Sequence, residues 1–133
     1  MSDNNKYLEP YYDIAYNNHR KYLELIKNLN DYPFTSFNGI LQKKYVFEQI
    51  RYTTELHWWI EEFFELWFSS YSKETLEQWL TAIRDFRINL NNCISYYIWN
   101  NYLLPSEQSV LKYLYIDIRR LVRRVRRRLI HKI

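Results

Sequence analysis

The chain has 133 residues, a formal charge of +4, one cysteine, one glycine and three prolines, and 20% of it is aromatic. That length predicts a single domain able to bury its own core. The lone Cys93 excludes an intrachain disulfide and reads as a small buried hydrophobe. So few breakers argue against a many-turned β fold and for a few long helices. The opening MSDNNKYLEP lacks a charged start followed by an apolar run, and charge interrupts every apolar stretch. Neither a signal peptide nor a membrane span is expected, and synthesis in the cytoplasm follows.

The periodicity predicts an all-α, four-helix bundle over residues 1–133, with long helices and short loops. The first helix is expected over residues 8–29, on the stripe Tyr11, Tyr12, Ala15, Tyr22, Ile26 and Leu29. Pro10 is placed near its start, and a kink, or a division into two short helices, is expected at Asn17-Asn18-His19. This helix can serve as an arm. The stretch from Asn30 through Pro33 to Asn38-Gly39 reads as a loop.

The second helix, 40–69, contains HWWIEEFFELWF (residues 57–68). Val46, Ile50, Thr53, Leu56, Ile60, Phe63 or Phe64, and Trp67 form its stripe. Core packing is the default for rings here. The surplus in Trp58, Trp59, Phe63, Phe64, Trp67 and Phe68 predicts a subunit interface or lipid contact as well. The third helix, 72–101, is capped by Ser72, with Glu74 in its first turn. Its stripe runs from Leu76, Trp79 and Leu80 to Tyr97 and Ile98. The fourth, 106–131, starts at Ser106 and Glu107 and carries Leu111, Leu114, Ile118, Leu121, Val122, Val125 and Leu129 on one face.

The opposite face of that helix holds the strongest signal. Residues 1–111 contain ten Lys/Arg against fourteen Asp/Glu, a balance of −4, whereas residues 112–133 contain nine against one, a balance of +8. Within RRLVRRVRRRLIHKI (119–133), Arg119, Arg120, Arg123, Arg124, Arg126, Arg127 and Arg128 stack like charges at i,i+3 and i,i+4, which opposes helix formation. A polyanion would neutralise them, and guanidinium groups suit phosphate. The predicted ligand is nucleic acid, most simply the backbone of double-stranded DNA, read by charge and shape. Lys132 joins this set, and Arg20, Lys21, Lys43 and Lys44 form a minor second one. The same basic helix also admits a membrane-surface role.

Catalysis finds little support. His57, Glu61 and Glu65 share a helix face and read as surface polarity, and His19 reads as part of the surface basic set. No metal or cofactor is predicted. Arg126 and His131 have the Arg-x4-His spacing of the HEPN family of helical ribonucleases, a spacing that a run of arginines produces by chance. The expectation is a protein that is not an enzyme.

In layout the chain resembles the major coat proteins of filamentous archaeal double-stranded DNA viruses, of the lipothrixvirus and rudivirus type. The segments carrying the resemblance are YLEPYYDIAYNNHRKYLELI (7–26), the four-helix plan and the terminal arginine helix. The resemblance implies a bundle that pairs with itself or with a paralogous coat subunit, wraps linear DNA and forms a virion filament, with lipid contact in enveloped members. In that family wrapping relies on N-terminal helices, whereas here the charge is C-terminal. No family motif is matched, so no residue's role is carried over. Two other functions are retained: a small viral inhibitor of a host nucleic-acid machine, and a HEPN-like ribonuclease.

Overall fold

The computed structural model describes residues 2–31, 40–99 and 103–132, and the side chains of 12–31, 44–96 and 103–132. Five helices occupy them: α1 (Ser2–Asp31), α2 (Ile40–Glu62), α3 (Phe64–Ser69), α4 (Lys73–Trp99) and α5 (Pro105–Leu129). The expected all-α class is thereby established, and no strand occurs among the described residues. The predicted loop at 32–39, including Asn38-Gly39, and the side chains of Tyr11, Lys43, Tyr97 and Ile98 lie outside the described residues.

One spacing organises the core. Buried positions recur at alternating intervals of four and three. In α1 these are Ala15, His19, Tyr22, Ile26 and Leu29; across α2 and α3 they are Val46, Ile50, Thr53, His57, Ile60, Phe64 and Trp67. The buried faces of α4 (Leu76, Trp79, Ile83, Phe86, Leu90, Cys93) and α5 (Leu111, Leu114, Ile118, Leu121, Val125) follow it too. This is the pattern of helices packed nearly along one another, with side chains of one fitting between those of the next. Trp67, Trp79, Tyr22, Phe64 and Phe86 are the bulkiest side chains fully enclosed, and Trp67 meets Trp79 edge-on at 5.0 Å between ring centres.

The long helices occupy four corners in the cyclic order α1, α2, α5, α4. Thus α1 and α5 lie at opposite corners, as do α2 and α4. Tyr22 meets His57 across the antiparallel α1–α2 pair, and Asn89 Nδ2 donates to Asn30 Oδ1 at 2.8 Å across the parallel α1–α4 pair. The chain must therefore cross the end of the bundle between α2 and α4, in the stretch between Glu62 and Lys73 that holds α3. Phe63, at φ −105° and ψ 35°, breaks the single helix expected over 40–69. The 60–64–67 spacing continues through the break, so Phe64 and Trp67 still reach the core. Tyr71 anchors the far side, donating from Oη to the Ala15 carbonyl at 3.0 Å.

Helix ends differ from expectation in small ways. Helix α1 runs on through Pro10 and Asn17-Asn18-His19 without a break. An interior proline forfeits one helix hydrogen bond and crowds the carbonyl four residues before it, at about 3 kcal/mol, and the helix carries it; burial of His19 against Tyr71 (4.2 Å between ring centres) holds the weak triplet helical. Ser72 caps α4 as expected, accepting from Thr75 N at 3.2 Å. Helix α5 begins at Pro105 rather than Ser106: Glu107 Oε1 accepts from Leu104 N at 2.9 Å, and proline needs no donor in the first turn.

Candidate nucleic-acid interface

Leucine, isoleucine and valine seat α5 between α2 and α4, and its arginines consequently face outward. All seven are exposed. They nevertheless divide into two groups, because α2 and α3 bring acids and rings to one edge of α5. Arg128 forms a two-pronged pair with Glu65, Nη1 to Oε1 at 2.5 Å and Nη2 to Oε2 at 2.9 Å. Its guanidinium also lies 4.9 Å from the Phe68 ring centre. Arg124 sits 3.8 Å from the Phe64 ring centre, with Nη1 3.8 Å from Glu61 Oε2. Two of the predicted polyanion-binding arginines thus have acidic partners within the chain. The cause is a matched spacing: Glu61 and Glu65 are four apart, and so are Arg124 and Arg128.

The remaining five, Arg119, Arg120, Arg123, Arg126 and Arg127, have no ion-pair partner among the described residues. They cover about 12 Å of helix axis at 1.5 Å per residue. One positive charge thus falls every 2–3 Å, roughly, against one negative charge per ~1.7 Å of duplex DNA.

The other predicted contacts do not converge on this ridge. Lys132 Nζ donates to the Phe68 carbonyl at 2.8 Å and lies 4.5 Å from the Phe68 ring centre, so it closes the end of α3. Burial, then the nearby charge of Arg128, lowers its pKa. Arg20 and Lys21 are exposed, but on α1, at the corner opposite α5. Lys44 is exposed near the start of α2, about 25 Å along that helix from Glu61 by its rise per residue. His19 is 4% exposed, and burial lowers its pKa to about 4. It belongs to the core and not to a basic surface.

His57 is likewise enclosed, which overturns its reading as surface polarity. Tyr22 Oη lies 2.7 Å from Nδ1. Burial lowers the ring's pKa to about 4, opposed by Asp117 on α5, and the imidazole is neutral. With Tyr22 donating, the ring proton sits on Nε2, which faces Glu61 Oε1 at 3.9 Å. Burial raises the Glu61 pKa, with Arg124 opposing, whereas the Arg128 hydrogen bonds lower that of the exposed Glu65. A polar line therefore runs from the core, through Tyr22, His57 and Glu61, to the occupied edge of the arginine face. The missed signal for both histidines was the four-three spacing, in which they hold core positions.

The aromatic segment divides as well. Phe64, Trp67 and Phe68 are buried within the chain, which corrects their assignment to a subunit interface: the four-three spacing carries through the turn at Phe63 and keeps Phe64 and Trp67 in core positions. Trp58 and Phe63 remain exposed, and Trp59 is half-buried, tilted against Phe63 at 5.0 Å. Tyr52, Trp59 and Phe63 lie along the α1 side of α2, whereas Trp58 lies on its α5 side. Arg126 and His131 are both exposed at the C-terminal end of α5. Among the described residues no group of three His, Cys, Asp or Glu side chains is placed to hold a metal, and no helix is long and apolar enough to cross a membrane. Comparison with protein-family models, curated proteins and solved structures finds no match.

Proposed function

We propose that the protein is a structural nucleic-acid-binding protein that neutralises the phosphate backbone of linear duplex DNA and packages it without reading bases, as a virion coat subunit does. One observation carries this reading: five unpaired arginines share a solvent face of a helix whose other face is core. Four like-charge neighbours at i,i+3 or i,i+4 within this set together cost about 1–2 kcal/mol in the free protein. Phosphates lying along the ridge would relieve that cost and release counterions.

The disposition of α5 favours nucleic acid over a membrane. An interfacial helix needs its apolar face for lipid, and here Leu114, Ile118, Leu121 and Val125 are committed to the core. Tyr52 and Phe63, 59% and 39% exposed on the other side of α2, would supply contact between subunits. Electron microscopy of the protein mixed with linear duplex DNA across a salt series tests the proposal. Ordered filaments that dissolve as salt rises are expected, and bare DNA at low salt would refute it.

A further inference from the structure

The ridge does not end at Arg119. On the outer side of α5, Tyr113, Ile116, Arg120, Arg123 and Arg127 follow one another at intervals of three and four, one continuous row along the helix. Its N-terminal half is apolar and uncovered: Tyr113 is 68% exposed and Ile116 43%. Beside it α2 and α5 part to leave an open groove of about 670 Å³, walled by Phe47, Trp58, Val110 and Tyr113. Trp58 is 61% exposed there, and its Nε1 donates to Asp117 Oδ2 at 3.3 Å. That bond fixes the ring one turn from Arg120.

We propose that this groove takes one unpaired nucleobase of the strand whose phosphates lie on the arginine ridge. The inference rests on the phosphate reading and extends it from the backbone to the base. Three features select a base. The groove falls in the size range of pockets for small flat ligands, and two exposed aromatic rings offer the stacking surface that every nucleobase accepts whatever its sequence. Its charge is the reverse of the ridge: Glu55 and Asp117 outweigh Arg51, so phosphate is repelled while exocyclic amino groups find acceptors. Tyr113 stands six and seven residues before Arg119 and Arg120, about 10 Å along the helix, within reach of the next nucleotides on the same strand. A strand thus leaves its phosphates on the arginines and turns a base between Trp58 and Tyr113. Such a base comes from a single-stranded end or gap adjoining duplex.

The test compares three labelled DNAs by fluorescence anisotropy at fixed salt: a blunt duplex, the same duplex with a single-stranded overhang, and that duplex with an abasic overhang of equal charge. The base-bearing overhang should bind about 5- to 100-fold more tightly than the abasic one. Trp58→Ala and Tyr113→Ala should erase that difference, and Trp58→Phe and Tyr113→Phe should keep most of it. All four variants should bind blunt duplex as the wild type does, because both side chains are largely outside the core. Equal affinity for the two overhangs, with blunt duplex still bound, overturns the base site and leaves the phosphate reading standing. Failure to bind any of the three DNAs removes the phosphate reading, and the base site with it.

Discussion

Acid should unfold this protein through its histidines before its carboxylates are exhausted. His19 and His57 are 4% and 0% exposed, and burial lowers both pKa values from 6.5 to about 4. Between those values the unfolded chain binds protons that the folded chain refuses, so stability is full above pH 6.5 and falls as pH drops toward 4. Each histidine should cost about 2 kcal/mol by pH 5 and about 3 kcal/mol by pH 4. Together they approach a large part of the 5–15 kcal/mol, roughly, that holds a domain of this kind folded. Glu61 works in the opposite sense. Its raised pKa makes the folded state take up a proton first, so it stabilises as pH falls from that raised value toward 4.5. Glu65, with its lowered pKa, loses its contribution only as pH falls below 4.5. Urea denaturation at half-unit steps from pH 7 to 4.5, run also on Glu61→Gln to remove the opposing carboxyl, separates out the histidines. Stability should fall across the series, and His57→Gln, whose amide can still accept from Tyr22, should remove about half of the slope. A flat profile, or an unchanged slope in the variant, would show that the histidines titrate in the folded protein and that their burial is wrong.

The division of the arginines predicts unequal effects on salt dependence. With five free arginines the logarithm of duplex affinity should fall against the logarithm of salt with slope about −4.5, or about 500-fold between 50 and 200 mM. Arg123→Gln should make that slope shallower by about 0.9, as loss of one phosphate contact requires. Arg124→Gln, already beside Glu61 and Phe64, should barely change it; equal effects would mean that the pairing seen here yields to DNA. Tyr22→Phe leaves His57 Nδ1 buried without a partner and should cost about 1–3 kcal/mol in a chemical melt. A loss no larger than that of an exposed control such as Tyr52→Phe would disprove the buried hydrogen bond.

Legibility in the sequence followed residue type. Helix α5 could be read because its inward positions are all leucine, isoleucine or valine, with arginine opposite, so the angular contrast is complete. In helix α2 the expected stripe holds Thr53 correctly but passes through Leu56 in place of His57, because His57 is a polar residue in a core position. That slip placed His57 outside and left Phe63 and Phe64 undecided. His19 was lost similarly, read with its basic neighbours and not with Ala15 and Tyr22. The turn at Phe63 has no glycine or proline to announce it. Which arginines are free depends on the register of α2 and α3 against α5, a tertiary property, although the equal spacing of Glu61–Glu65 and Arg124–Arg128 hinted at it. The groove at Trp58 and Tyr113 joins residues 55 apart in sequence and has no local signature.

Duplex DNA affinity of a single variant, with Arg119, Arg120, Arg123, Arg126 and Arg127 all changed to Gln, bears most directly on what this protein does. None of these side chains forms an ion pair in the described structure, although the charge of Arg120 acts on Glu61, so helicity and melting should be largely kept as like charges are removed. Duplex binding at 50 mM salt should disappear, while the variant that changes only Arg124 and Arg128 keeps most of it. If the fivefold variant binds duplex as the wild type does, the arginine ridge is not the binding surface.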